Sequence, residues 1–270
     1  MSHNSTTYNI VAEHQQITID RMTASDDPFR SAQPGSDFRT THWSLVLDAG
    51  QRNDKSAEAA LGELCQRYWY PLYAYVRRRV RDIGEAQDLT QEFFARLLEK
   101  NVLAAASQER GRFRSFLLAA MKNFLANEWD KAKAAKRGGG RRPLPLVFDT
   151  AESRLSIEPA HDLTPERLYE RQWALTLLEL VVERLEREFA TAGKQQQFAA
   201  LKPAIAGSQA ALDYAAAAGQ LKMSEEAVRQ AAHRLRRRYR EILREELAQT
   251  VAEPSDVDDE IRSLFETLAT

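Results

Sequence analysis

The residues best placed to do chemistry lie between Ser224 and Leu243, in SEEAVRQAAHRLRRRYREIL. This stretch carries six arginines and three glutamates, in a chain whose formal net charge is only -1. With Val228, Ala231, Ala232, Leu235 and Tyr239 turned inward, helical spacing puts Arg229, His233, Arg236, Arg237, Arg240 and Arg244 on one exposed stripe, and only Glu241 sits near enough to neutralise part of it. Like charges one turn apart cost helix stability. The stripe therefore calls for an anionic partner, against the plainer reading of a solvated amphipathic face. A DNA major groove accepts such a helix. Glu226, Arg229 and Gln230, near its start, would reach base edges, and the later arginines would sit on phosphates.

Other chemistry is poorly served. The five histidines, at 3, 14, 42, 161 and 233, are dispersed, and Cys65 is the single cysteine. That rules out an internal disulfide and any Cys-rich zinc site. There is no metal-ligand spacing, nucleophile motif or nucleotide fingerprint, so no enzyme, cofactor, metal or small-molecule substrate is expected. Gly138 to Gly140 could cradle a phosphate. They lack a following Lys-Ser/Thr and a preceding strand, so they read as a linker.

The near-neutral total hides two basic islands. Arg112 to Arg142 holds nine Lys/Arg against Glu128 and Asp130, a net of +7; Lys222 to Arg244 holds eight against three, a net of +5. Val251 to Thr270 carries six acids against Arg262, a net of -5. Such islands suggest a polyanion. The acidic tail (Glu253, Asp256, Asp258, Asp259, Glu260) could fold back on the basic helix and weaken its DNA binding; the plainer role is that IRSLF packs on the same domain. No apolar run approaches the ~20 residues of a membrane span. The N-terminus has no basic start followed by an apolar core, so no secretory signal is expected and the cytoplasm is the default location.

The elements that must position these residues are helical throughout. Residues 1–38 are polar and aperiodic and read as a disordered extension. THWSLVLDAG opens a helical half with Thr as an N-cap. SAEAALGELCQRYWYPLYAYVRRRV reads as two helices, or as one bent at Pro71. GEAQDLTQEFFARLLEK spaces Leu89, Phe93 and Leu97 as one buried stripe, and the next segment does so with Phe113, Phe116, Leu117, Met121, Phe124 and Leu125. Residues 136–164 form the Gly/Pro linker. Asp162 or Thr164 then caps a helix with Pro165 in its first turn, whose stripe is Leu168, Trp173, Leu177, Leu180, Val181 and Leu185. Tyr214 to Leu221 is a short helix, KMS a turn and Ser224 the N-cap of the arginine helix, with Glu225 and Glu226 favoured by its dipole. Ala218 allows close approach, which is helix-turn-helix spacing. A short terminal helix starts near Asp258.

LCQRYWYPLYAYVRRRVRDIGEAQDLTQEFFARLLE, GRFRSFLLAAMKNFL, AAKRGGG and LKMSEEAVRQAAHRLRRRYREILREEL together resemble the extracytoplasmic-function (ECF) sigma factors of RNA polymerase, and most closely the long ECF-like group common in planctomycetes. The resemblance spans about residues 38–268. It implies an all-α protein of two helical domains: a sigma region 2-like domain at 39–135 and a region 4-like domain at 165–250, joined by a flexible linker and followed by the tail at 251–270. It implies that Asp88, Leu89, Gln91 and Glu92 dock on the clamp helices of the polymerase β′ subunit, with the β flap as a second core contact. It also implies that Arg112, Arg114, Lys122, Asn123, Asn127, Trp129 and Lys131 hold the opened minus-10 element. Trp129 is the aromatic residue assigned to DNA; Phe113, Phe116 and Phe124 are assigned to the core. Lys222, Ser224, Glu226, Arg229, Gln230, His233, Arg234, Arg236, Arg237 and Arg240 would meet the minus-35 duplex.

Two positions depart from the family pattern. Lys222 stands where the turn usually has Gly, and Ala231 where many members have a polar residue. The segment between Trp173 and Leu212 is longer than in minimal members. An anti-sigma factor or a kinase as a regulator is left open. The alternative function is a helix-turn-helix regulator that binds DNA without polymerase, usually as a dimer on a palindrome.

Overall fold

The computed structural model describes residues 55–97, 112–134, 148–157, 163–205, 212–251 and 253–269. The expectations for residues 1–38, for the Thr40 cap, for Gly138 to Gly140 and for Asp162 lie outside them. Among the described residues the regular elements are helices and no strand occurs, so the all-α expectation holds. They are α1 (Lys55–Arg79), α2 (Ile83–Leu97), α3 (Phe113–Ala134), α4 (Phe148–Ile157), α5 (Pro165–Thr191), α6 (Gln195–Leu201), α7 (Tyr214–Leu221), α8 (Glu225–Ala248) and α9 (Val257–Ala269), with short 3-10 turns at Lys202–Ile205 and Pro254–Asp256. No described helix is long and apolar enough to cross a membrane. The described residues form two compact units, one within 39–176 and 248–257, the other within 177–247 and 258–270.

In the first unit α1 runs unbroken through Pro71, which removes one backbone hydrogen bond from its interior. Burial outweighs that loss: Tyr68, Leu72, Tyr73, Ala74, Tyr75 and Val76 are all at or near zero exposure. Each large side chain contributes roughly 1.5–3 kcal/mol. Asp82 then accepts the Glu85 N–H at 2.7 Å and starts α2. The buried stripe of α2 is Ala86, Thr90, Phe93, Phe94 and Leu97, whereas Leu89 lies at its margin, half-buried. The Thr90 hydroxyl is satisfied inside the helix by the Ala86 carbonyl at 2.7 Å. On α3, Phe113, Leu117, Met121, Phe124 and Leu125 face inward, and Phe124 meets Phe93 edge to face at 5.7 Å. Phe116 is only half-buried. The Phe113 N–H donates to the Thr250 carbonyl at 3.1 Å.

Part of the stretch expected as linker is folded. Phe148 and Ala151 of α4 are buried, and the Phe148 ring lies 5.6 Å from Trp69 and 5.0 Å from Tyr73, edge to face in both cases. Glu152 accepts from Tyr73 Oη at 2.6 Å and from Arg77 Nε at 2.7 Å. An aromatic and a carboxylate four residues apart thus seat one helix face on α1. After it, the Thr164 hydroxyl accepts the Arg167 N–H at 3.2 Å, so Thr164 caps α5. Leu168, Tyr169 and Trp173 complete the core of this unit.

The second unit packs Leu177, Val181 and Leu185 of α5 in a core with Phe198 and Leu201 of α6, and with Val228, Leu235, Ile242 and Leu243 of α8. Leu180, expected in the α5 stripe, is half-buried. Gly193 takes a positive φ of 69° to end α5. Charges bind α5 to α8. Arg184 pairs with Glu245, with Glu246 at 2.9 Å and with Glu188 at 3.7 Å, while Arg238 bonds Glu188 at 2.7 Å and Glu245 at 3.2 Å. In α9, Ile261, Leu264 and Leu268 are buried. Asp258 pairs with Arg244, and Glu260 is fully buried.

Candidate functional site

Three surfaces carry the residues singled out from the sequence. The first is the outer side of α2. Opposite its buried stripe, Asp88 is exposed, and Gln91 and Glu92 are half-exposed beside it. Glu92 bonds Arg96 at 2.8 Å, and Arg96 reaches Glu128 of α3 at 2.6 Å. Leu89, half-exposed, adds apolar surface next to Asp88. The structure therefore brings the four α2 residues onto one side of one helix, acidic and amide-bearing with an apolar edge.

The second surface is the outer side of α3, in the same unit. Asn123, Ala126, Asn127 and Asp130 are exposed along its middle. Lys122 and Trp129, seven residues apart, share one edge, and Lys131 marks the other. Lys122 lies 2.9 Å from Glu166 of α5, and Lys131 3.1 Å from Glu128. Burial raises the Glu128 carboxyl, but hydrogen bonds from Arg96 and Lys131 outweigh it and hold the group below its ordinary range. Half-buried Arg112 offers its carbonyl to the Ser115 and Phe116 amides at the start of α3. These residues form a mixed polar and cationic face with one indole at its rim.

Arg114 is not on that face. It is 2% exposed, bonds Glu170 at 2.5 Å and stacks over Trp173 at 4.2 Å. Burial pulls its guanidinium below the ordinary value, and Glu170 opposes the shift. Its spacing explains the placement: one residue after Phe113 and three before Leu117, it falls on the buried side of the helix. Arg114 holds α5 to α3 and is withdrawn from the DNA set.

Sequence reasoning also passed over Arg79, the last residue of α1. Its guanidinium lies 5.4 Å from the Trp129 ring centre. Arg77, Arg78 and Arg79 look alike in sequence, and nothing local marks the one that meets a ring fifty residues away.

The third surface belongs to the second unit. The side chain of Asp213 accepts the Ala216 N–H at 3.0 Å and starts α7. Lys222 ends α7 in the left-handed region, φ 53° and ψ 44°. It therefore takes the backbone conformation that favours glycine. The Ser224 hydroxyl accepts the Ala227 N–H at 3.2 Å and starts α8, as its position predicts. Glu226, Arg229, Gln230, His233, Arg234 and Arg237 are exposed on α8, and Lys222 and Ser224 are exposed in the turn before it. Ala231 is buried, which removes it from any outward contact.

The stripe is less uniform than its spacing implies. Arg229 pairs with Glu225 at 2.9 Å and lies 5.4 Å from the Tyr214 ring. Arg236 turns inward, donating to the Ala204 carbonyl at 2.9 Å. Arg240 is half-buried, and Arg237 bonds Glu241 at 3.2 Å. With Asp258 on Arg244, several acids besides Glu241 neutralise the stripe. The exposed cationic end of α8 is its first half. Among the described residues no cluster of three potential metal ligands occurs.

Neither the curated proteins nor the solved structures include a match to the chain. The family model of sigma-70 region 2 matches residues 64–135. The match covers one domain of the chain, and within it lie both the acidic side of α2 and the polar face of α3.

Proposed function

We propose that the chain is an ECF-type sigma factor that binds RNA polymerase core through α2 and directs it to promoters through α3 and α8. The observation that carries this reading is the pairing of two faces within one sigma-70 region 2 domain. Asp88, Gln91 and Glu92 offer a partner acids and an amide; Lys122, Asn123, Asn127, Trp129 and Lys131 offer cations, amides and an indole. An arginine-rich helix of the polymerase β′ clamp fits the first by charge. An opened DNA strand fits the second, since lysines follow phosphates and an indole stacks on any base. Lys222, Glu226, Arg229, Gln230, His233, Arg234 and Arg237 are then the contacts to duplex DNA upstream, with the β flap as the matching site on the core. Arg236 serves chiefly to seat α8.

Such a protein needs no catalysis. Binding energy for the unpaired strand shifts duplex DNA toward the opened state, and polymerase supplies the chemistry. The protein acts in the cytoplasm, where polymerase is. The buried Ile261, Leu264 and Leu268 favour a packing role for α9.

The test is co-purification of the full chain with sigma-free core polymerase, followed by transcription from a random promoter library. Stable core binding, with start sites that share two spaced elements, is the expected result. Salt-dependent DNA binding without core binding would replace this reading with a regulator that acts alone.

A further inference from the structure

Arg79 closes α1 and brings its guanidinium near two rings of the same unit. Its carbon lies 5.4 Å from the Tyr75 ring centre and 5.4 Å from that of Trp129. Both distances are inside the ~6 Å at which a cation is attracted to a ring face. A donor of the same guanidinium bonds the Tyr75 hydroxyl. Tyr75 sits one helical turn before Arg79 and is fully buried. The result is a ladder that starts in the core at Tyr75, passes through an exposed arginine and ends on the half-exposed indole at the rim of the α3 face.

Each step of the ladder has a physical consequence. Tyr75 cannot move, so it fixes where Arg79 ends. Arg79 then restricts Trp129, which without it would sample several rotamers at the helix surface. A pre-set ring loses less entropy when a ligand stacks on it. An indole has two faces, and the guanidinium lies over one of them, 5.4 Å from the ring centre. The same guanidinium brings a delocalised positive charge beside the ring, at the edge of α3 that also carries Lys122.

We propose that Arg79 is the positioning residue for Trp129, and that the two act as one unit that receives an unpaired base together with its phosphate. The proposal rests on the reading that α3 meets an opened promoter strand. It adds a residue from α1 to that contact and states how it acts. The base completes a stack of guanidinium, indole and base, and the remaining donors of Arg79 reach the neighbouring phosphate. Lysine supplies charge but no planar stack, so it replaces only part of this role.

The experiment uses the full chain assembled on core polymerase, with a forked DNA whose minus-10 strand is single and a closed duplex as control. Affinity is read by competition at several salt concentrations for Arg79→Ala, Arg79→Lys, Trp129→Ala and the double alanine variant. Thermal melting checks that each variant is folded. Trp129→Ala and Arg79→Ala should each weaken fork binding about tenfold, the loss of one stacked base. The double variant should lose about 20-fold rather than the ~100-fold product, because coupled residues are not additive. Arg79→Lys should keep the wild-type salt slope and regain only part of the affinity.

Three outcomes would overturn the proposal while sparing the α3 reading: no effect of Arg79→Ala beside a loss for Trp129→Ala, a full product of the two losses, or an equal loss on closed duplex. A silent Trp129→Ala would sink both the stacking reading of α3 and this proposal. Core binding through α2 would be judged separately.

Discussion

Lys122 Nζ lies 2.9 Å from a carboxylate oxygen of Glu166, so the cation at the rim of the α3 face already has an anion. Under the proposed function that carboxylate would compete with a DNA phosphate for Lys122. The hydrogen bond from Lys122 holds Glu166 below the ordinary carboxylate range, so the group stays ionised at neutral pH. Both side chains are about two-fifths exposed, and such pairs contribute about 0–1 kcal/mol. Glu166→Gln should therefore leave melting almost unchanged. It should tighten binding to a forked promoter by roughly three- to fivefold, the effect of removing one screened negative charge. Fluorescence anisotropy against the parent protein checks this; weaker or equal binding would show that Lys122 meets no phosphate.

The seat of α4 should respond to acid. The hydrogen bond from Arg77 holds Glu152 below its usual range, with the Tyr73 hydroxyl adding a second donor. The folded value is depressed, so this contribution is full above the unfolded carboxyl value of ~4.3 and is lost as pH falls through the folded one. Hydrogen exchange across residues 148–157 should show protection that falls away below about pH 4. Glu152→Gln should lower that protection at neutral pH and flatten the acid step.

Lys222 is the described non-glycine residue with positive φ. A side chain there costs ~1 kcal/mol, which glycine avoids in part. Lys222→Gly should raise stability by about 0.5–1 kcal/mol in denaturant titrations. If Lys222 also touches phosphate, the same variant should bind duplex DNA slightly less well.

Arg184 should be the costliest surface arginine to remove. It serves Glu245 and Glu246, and Glu246 is only 5% exposed. Arg184→Met should cost about 2–3 kcal/mol, because it strips a buried carboxylate of a cation. A loss below ~0.5 kcal/mol would place Arg184 among ordinary surface pairs.

The two interaction faces should separate cleanly. Asp88→Ala with Gln91→Ala should reduce core binding and leave DNA contacts intact. Arg229→Ala should cost about 1–3 kcal/mol of duplex promoter binding and leave core binding intact. Equal loss of both activities in both variants would mean that the faces are misassigned.

Much of this architecture was legible because local rules govern it. Ser224 and Thr164 cap their helices where an oxygen precedes an apolar period, and the stripes of α3, α5 and α8 follow 3.6-residue spacing. Misreadings arose where charge was taken as a sign of exposure. Arg114 and Glu260 are buried, and for Arg114 it is a partner distant in sequence, Glu170, that makes this tolerable. Arg114 shares a side of α3 with Leu117, a spacing that outweighs the charge pointing to the minus-10 element. Nor could composition disclose α4, since the glycines and prolines around it hide a ten-residue segment whose value lies in one ring and one carboxylate. The Arg79 contact joins residues with no shared local signal.

The hydrogen bond from Phe113 N–H to the Thr250 carbonyl gives the first unit an order of assembly. That unit draws on residues 39–176 and again on 248–257, so its sequence is interrupted by most of its neighbour. On the ribosome its helices would wait, incomplete, until the segment around Thr250 emerges, while the arginine helix is already made. A fragment cut after residue 135 would lack α4, the first turns of α5 and this late segment. It would bare Trp69, Tyr73 and Phe113 to water, an apolar surface of the kind that makes truncated proteins aggregate.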